Sequence, residues 1–127
     1  MQSRGDSEKL SRLRGALRGH LQELEAILEV AFERSALVKG NVYELARKCG
    51  KPSCACAEGQ LHRSTVLSWS HQGKTRLLTI PEAKLDRIRT GSEDYLRYRR
   101  ARARAGELFK QILKVVDRIE ALRREKP

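Results

Sequence analysis

The chain has 127 residues and a formal net charge of +11, with 34% charged and only 5% aromatic residues. This length suits about one domain, and the composition favours an elongated helical protein over a globular α/β enzyme. The N-terminal residues lack the apolar core of a signal peptide, and no apolar run is long enough to cross a bilayer, so we expect a cytoplasmic protein without a membrane partner.

The basic residues are unevenly distributed along the chain. Residues 1–35 carry six basic and six acidic side chains, residues 36–91 carry ten and four, and residues 92–127 carry eleven and six. The positive excess therefore begins near the cysteines and continues to the C-terminus. A polyanion is the natural partner for such a surface, and we expect nucleic acid ahead of anionic lipid.

The first segment, about Ser7 to Arg34, is predicted to form one long amphipathic helix, with Ser7 as its cap. Its apolar positions recur at spacings of three and four with one gap of seven, at Leu10, Leu17, Leu21, Leu24, Leu28 and Ala31. Leu13 and Ile27 widen the stripe, and Gly40 supplies a stop. The next segment, residues 41–48, fits either a short strand or two helical turns, with a slight preference for the strand.

All three cysteines of the chain lie within eight residues, and a histidine follows. The spacing Cys-x4-Cys-x-Cys-x5-His at Cys49, Cys54, Cys56 and His62 offers zinc three thiolates and one imidazole, a donor set that it binds as a closed tetrahedral structural site. Three free or buried thiols are the alternative, and His71 could replace His62. An odd number of cysteines in a reducing compartment argues against a disulfide framework.

A β-hairpin is predicted after the cysteines. Thr65 to Trp69 and Thr75 to Ile80 are rich in strand-forming residues, and the segment between them contains Gly73 in a turn. Trp69 is expected to anchor the core of this small sheet, with base stacking as the alternative.

The C-terminal third is predicted to form a short helix from Pro81 to Arg89, a break or kink near Gly91, and a long helix from Ser92 to Arg124. The long helix carries four heptads of an apolar seam, at Tyr98, Ala101, Ala105, Leu108, Ile112, Val115, Ile119 and Leu122.

Five arginines fall within eight residues of this last helix, with no acid among them: Arg97, Arg99, Arg100, Arg102 and Arg104. Such a helix could follow a phosphate backbone or enter a major groove. Lys51, Arg63, Lys74 and Arg76 could extend the same surface. A merely solvated helix face is the alternative.

Several of these motifs together resemble an uncharacterised bacterial and archaeal family with the pattern Cys-Gly-Lys-Pro-x-Cys-x-Cys-Ala, a histidine, a hairpin ending in Gly-Lys-Thr and a trailing helix with an early tyrosine. The matching residues are 49–57, Gly59, His62, residues 67–69, residues 73–75, Ile80 and Pro81, with Tyr95 or Tyr98 as the tyrosine. The resemblance implies an architecture and no activity. Arg63 to Val66 stand where that family has Gly-Pro and an aromatic run.

The predicted fold is mainly α with a small β insert. Residues 1–39 and 81–127 would pair as an antiparallel coiled-coil hairpin, and residues 40–80 would form a zinc-stabilised β-hairpin head, all within one domain. A homodimer could also form through the helix seams.

The leading expectation is a zinc-binding nucleic-acid-binding protein, with DNA favoured over RNA and affinity driven by phosphate contacts. The alternative is a helical adaptor that binds protein and no nucleic acid. An enzyme is not expected, because no paired carboxylates or phosphate loop are present and four protein ligands would leave zinc no open position.

Overall fold

A three-stranded antiparallel sheet lies between two helices in the chain order. The computed structural model describes residues 3–48, 50–54 and 59–127. Helix α1 spans Arg4–Leu28 and continues into a 3-10 turn at Glu29–Phe32; the strands are β1 (Asn41–Arg47), β2 (His62–His71) and β3 (Lys74–Thr79); and helix α2 spans Glu82–Arg123. The chain divides into a sheet unit, Arg34–Arg97, and a helical unit, which contains the residues up to Glu33 and Tyr98–Pro127.

The sheet is a simple meander in which β2 is the central strand. Strand β1 pairs with it from Asn41 opposite Ser68 to Arg47 opposite His62, so the slight preference for a strand in this segment is confirmed. The predicted hairpin of β2 and β3 is also confirmed. Its two-residue turn has positive φ at Gln72 and Gly73, the backbone form whose twist matches that of paired strands.

One face of the sheet packs on the first turns of α2. Leu67, Ile80 and Ile88 are buried together, and the partly buried side chains packed against them are Val38, Val42, Trp69 and Leu85. Trp69 is therefore part of this core, as the first of its two interpretations predicted. Because side chains alternate along a strand, Val66 and Ser64 lie on the opposite face from Leu67.

Helix α2 runs without interruption through the predicted break. Gly91 and Ser92, which predicted the end of one helix and the start of the next, instead make tertiary contacts. Gly91 accepts a hydrogen bond from the backbone of Val38 at 3.0 Å, and the buried Ser92 hydroxyl donates to the Gly40 carbonyl at 2.6 Å. These two contacts, named here the clasp, hold the chain before β1 against the helix.

Alanine at position 91 is expected to lower the stability of the sheet unit. Replacement of a glycine inside a helix by alanine normally stabilises the helix by about 1 kcal/mol. Here, however, a Cβ atom would lie 2.6 Å from Val38 Cγ2 and 3.3 Å from the Ala36 carbonyl oxygen. Val38 is short and tied to the helix, so we expect Gly91→Ala to destabilise by roughly 1–3 kcal/mol, measured by urea unfolding.

Gly106 offers the matched control in the same helix. A Cβ atom there would meet nothing within 4 Å, so Gly106→Ala should stabilise by up to about 1 kcal/mol. Equal effects at the two positions would show that Val38 yields to the added methyl group.

In the helical unit, the first helix begins earlier than predicted. The hydroxyl of Ser3, rather than Ser7, accepts a hydrogen bond from the Asp6 backbone at 3.1 Å and caps α1. Leu10 and, on α2, Leu108 are almost fully buried. On α1, the partly buried positions include Leu13 and Ile27, whereas Leu21 and Leu28 of the predicted stripe are 47% and 38% exposed.

The predicted architecture was wrong. The β insert is a three-stranded sheet rather than a hairpin head, and the two C-terminal helices are one. The antiparallel coiled-coil hairpin is not shown. In the part of the chain that the structure describes, the Cα atoms of several residue pairs approach closely between β1 and β2, between β2 and β3, and between α1 and its 3-10 turn, but not between α1 and α2. An apolar stripe indicates which side of a helix avoids water, but it does not identify what covers that side.

Candidate functional site

Cys54 and His62 are brought together in the sheet unit. The chain turns at Pro52 and Ser53, where the Cys54 backbone donates to the Lys51 carbonyl at 3.1 Å. This turn sets the half-buried Cys54 beside the first residue of β2. Its Sγ atom lies 3.1 Å from His62 Nε2.

This separation is compatible with two ligands of one zinc ion. Bond lengths of about 2.3 Å to sulfur and 2.0 Å to nitrogen, at a tetrahedral angle, place the two ligand atoms about 3.5 Å apart. The other two predicted ligands, Cys49 and Cys56, lie outside the described residues. Within the described ranges, no three His, Cys, Asp or Glu side chains form a group that could hold a metal.

His71 does not replace His62 beside Cys54. It is the last residue of β2, whereas His62 is the first. Nine residues of strand separate their Cα atoms by roughly 30 Å. His20, the third histidine, is partly buried on α1 in the helical unit.

The predicted cations of the sheet unit do not converge on one place. Lys51 lies near the start of β2, beside Cys54 and His62, whereas Lys74 and Arg76 pair with the last residues of that strand. Arg63 is engaged with the Glu44 carboxylate at 3.1 Å.

The five predicted arginines of α2 also separate by their contacts. Arg97, in the sheet unit, lies 3.5 Å from the Asp94 carboxylate. Arg104 donates from Nε and Nη2 to the two carboxylate oxygens of Glu23, both at 2.8 Å, and so links α2 to α1 within the helical unit. Arg99, Arg100 and Arg102 are exposed, and no described carboxylate pairs with them.

The pairing of Glu23 with Arg104 was missed from the sequence. Glu23 is a partly buried position of α1 between Leu17 and Ile27, and an acid on the inner side of an amphipathic helix was the available signal. The hydrogen bond from Arg104, together with the charges of Arg104 and His20, lowers the pKa of Glu23 below its usual value near 4.5, against a smaller opposing effect of desolvation. The same hydrogen bond raises the pKa of Arg104.

Glu23→Gln is expected to lower stability at neutral pH and not in acid. A carboxyl whose pKa is depressed by folding stabilises the native state above its unfolded pKa, and this contribution is lost as pH falls through the folded value. The difference in urea midpoint between wild type and variant should therefore be constant above about pH 5.5 and shrink below pH 4.5. Glu25→Gln, at an exposed position of the same helix, is the control, and an equal pH-dependent difference in both variants would contradict the role of the Arg104 contact.

None of the helices that the structure describes is long and apolar enough to cross a membrane. A family model, that of a domain of unknown function, DUF6788, matches the chain over residues 11–90. No curated protein and no solved structure matches.

Proposed function

The chain belongs to the DUF6788 family, a domain of unknown function, and membership assigns no activity. From the described side chains, we propose that the chain is a zinc-stabilised protein that binds nucleic acid. The observation that carries this proposal is the exposed set of Arg99, Arg100 and Arg102, which no described carboxylate neutralises. Guanidinium groups can bind phosphate oxygens in bidentate fashion, so such a set suits a polyphosphate backbone.

Duplex DNA is the proposed ligand ahead of RNA. Arg99 and Arg102 lie three positions apart on α2, about 60° around the helix, and Arg100 lies about 100° from Arg99. A helix with cations spread over this arc can approach the phosphates on either side of a DNA major groove, which is wide enough to admit it. The major groove of an A-form RNA duplex is too narrow.

Zinc is proposed as a structural ion held by Cys49, Cys54, Cys56 and His62. When bound, it would contribute four ligand bonds that tie the three cysteines to His62 at the start of β2. Four protein ligands leave the metal no open position, so we propose a binding role rather than an enzymatic one. Thiolates of this kind persist in a reducing compartment, which fits the cytoplasm.

The direct test uses the zinc-loaded full chain and short fluorescent duplex and single-stranded DNA and RNA, followed by anisotropy. We expect binding at low salt that weakens steeply between about 50 and 200 mM salt, as counterion release requires. No measurable affinity for any of these probes at low salt would reject the proposal.

A second candidate, a protein-interaction adaptor, is favoured by exposed apolar side chains on α2. Phe109, Leu113 and Val116 are 56%, 57% and 42% exposed and recur at the i, i+4, i+7 spacing of one helix face. The partner that this face suits best is a second copy of the chain, because an identical apolar stripe can pack against itself across a two-fold axis. A dimer without affinity for nucleic acid would support this candidate over the first.

A further inference from the structure

The face of the sheet that does not cover the Leu67 core carries a second set of polar residues. His62 and Ser64 alternate with the core-facing residues of β2. Arg47 is opposite His62 on β1, and Thr79 is opposite Val66 on β3. Because directly opposed residues of an antiparallel pair project to the same side, all four lie on this face.

These residues enclose a depression of about 700 Å³ in the sheet unit. Its lining consists of Arg47, Lys48, Lys51, Cys54, His62, Ser64 and Thr79. The volume falls within the range of about 300–1,000 Å³ that is typical of small-ligand sites. It is therefore large enough for a phosphate group with an adjoining sugar.

The lining of the depression is cationic, and the described residues that form it include no acid. Arg47, Lys48 and Lys51 contribute three positive charges, and no carboxylate among the residues described is paired with any of them. Arg63 differs, because Glu44 already engages it. Among the described residues, the depression thus concentrates positive charge that no carboxylate neutralises.

The proposed zinc centre does not account for all of this charge. Three thiolates, one neutral imidazole and Zn²⁺ sum to a net charge of about −1. Three cations beside it leave an excess of about two positive charges. An anionic ligand would balance them, and the hydroxyl groups of Ser64 and Thr79 can donate hydrogen bonds to its oxygens.

We propose that this depression binds a backbone phosphate of the nucleic acid, with Arg47, Lys48 and Lys51 as its cationic ligands. The inference rests on the proposed function and adds a phosphate site that is separate from the exposed arginines of α2. Arg47 can bind the phosphate through two parallel N–H donors, whereas the two lysines act as point charges.

The test compares two triple variants of the zinc-loaded full chain with the wild type. Arg47→Gln/Lys48→Gln/Lys51→Gln removes the proposed ligands. Lys39→Gln/Lys84→Gln/Arg87→Gln removes the same charge from other exposed positions of the sheet unit. Zinc content is measured for each, and where the first variant loses zinc, Arg47→Gln alone takes its place.

Because one phosphate contact is lost, removal of the ligands should reduce the slope of log affinity against log salt by about one for duplex DNA, and affinity at about 0.1 M salt by roughly tenfold. The control should stay close to the wild type. If wild type binds and both variants lose the same affinity, the depression is not a phosphate site, although the proposed function stands.

Inorganic phosphate provides a readout that does not depend on nucleic acid. Its titration should shift the backbone amide resonances of Ser64 and Thr79 saturably in the wild type and not in the Arg47/Lys48/Lys51 variant. Saturable shifts without any affinity for DNA or RNA would retain the anion site and reject the proposed function. Absence of shifts together with unchanged nucleic-acid binding in the variant would overturn the inference.

Discussion

Cys54→Ala is expected to reduce bound zinc from about one ion per chain to a small fraction and to destabilise the sheet unit. Cys54 lies 3.1 Å from His62, and a tetrahedral structural site that loses a thiolate keeps only three protein ligands. Because zinc binding in small sites contributes directly to folding, with apparent free energies on the order of 10 kcal/mol, we expect a loss of several kcal/mol. Elemental analysis of protein purified without added metal measures the first effect.

Fluorescence of the single tryptophan, Trp69, measures the second effect. Trp69 packs against the Leu67 core, so a red shift on chelation would show that the sheet depends on the metal. His62→Ala should reproduce the Cys54 result. His71→Ala, at the far end of the same strand, should bind zinc normally. A wild-type protein with no metal and three freely reactive thiols would reject the site.

Arg99→Gln/Arg100→Gln/Arg102→Gln is expected to produce the largest loss of nucleic-acid affinity. Each phosphate contact contributes about 0.9 to the salt slope on duplex DNA, so removal of three should lower that slope by nearly three and the affinity at 0.1 M salt by roughly a hundredfold. None of the three arginines has a described carboxylate partner, so the fold should be unchanged by circular dichroism.

The matched control removes three arginines from α1. Arg4→Gln/Arg12→Gln/Arg14→Gln changes the net charge equally at exposed positions in the segment whose basic and acidic residues balance. We expect a small, general reduction in affinity from this variant. An equal loss of affinity in the α2 variant and the α1 control would mean that net charge alone drives binding. An adaptor that binds protein through its apolar side chains would keep its partner affinity in both variants.

Local patterns predicted the individual strands, because strand and turn signals are local, but they did not predict that all three strands join in one sheet. The two-residue turn at Gln72 and Gly73 fixes the register of β2 and β3, and alternation near Tyr43 was enough to favour β1. The uninterrupted helix α2 could not be predicted in this way. Gly91 and Ser92 carry the sequence signature of a helix boundary, but their role is set by Val38 and Gly40, some fifty residues earlier.

The candidate site shows the same division. The spacing of cysteine and histidine predicted the proximity of Cys54 and His62, which the structure shows. The arginine run on α2 predicted a cationic surface, but the contacts of individual arginines depend on residues distant in sequence. Arg104 binds Glu23 of another helix, and Arg47 reaches the depression only through its register with His62.

The clasp also has a consequence for the order in which the sheet unit assembles. Gly40 and Ser92 are 52 positions apart, so closing the chain between them from the unfolded state costs about 3.5 kcal/mol of entropy. The β2–β3 hairpin closes through only two residues and spans part of this interval. Its formation shortens the loop that remains, and β1 then adds to a sheet that already exists. We therefore expect the clasp to form late in folding, after the three strands between Gly40 and Ser92 have paired through contacts that are closer in sequence.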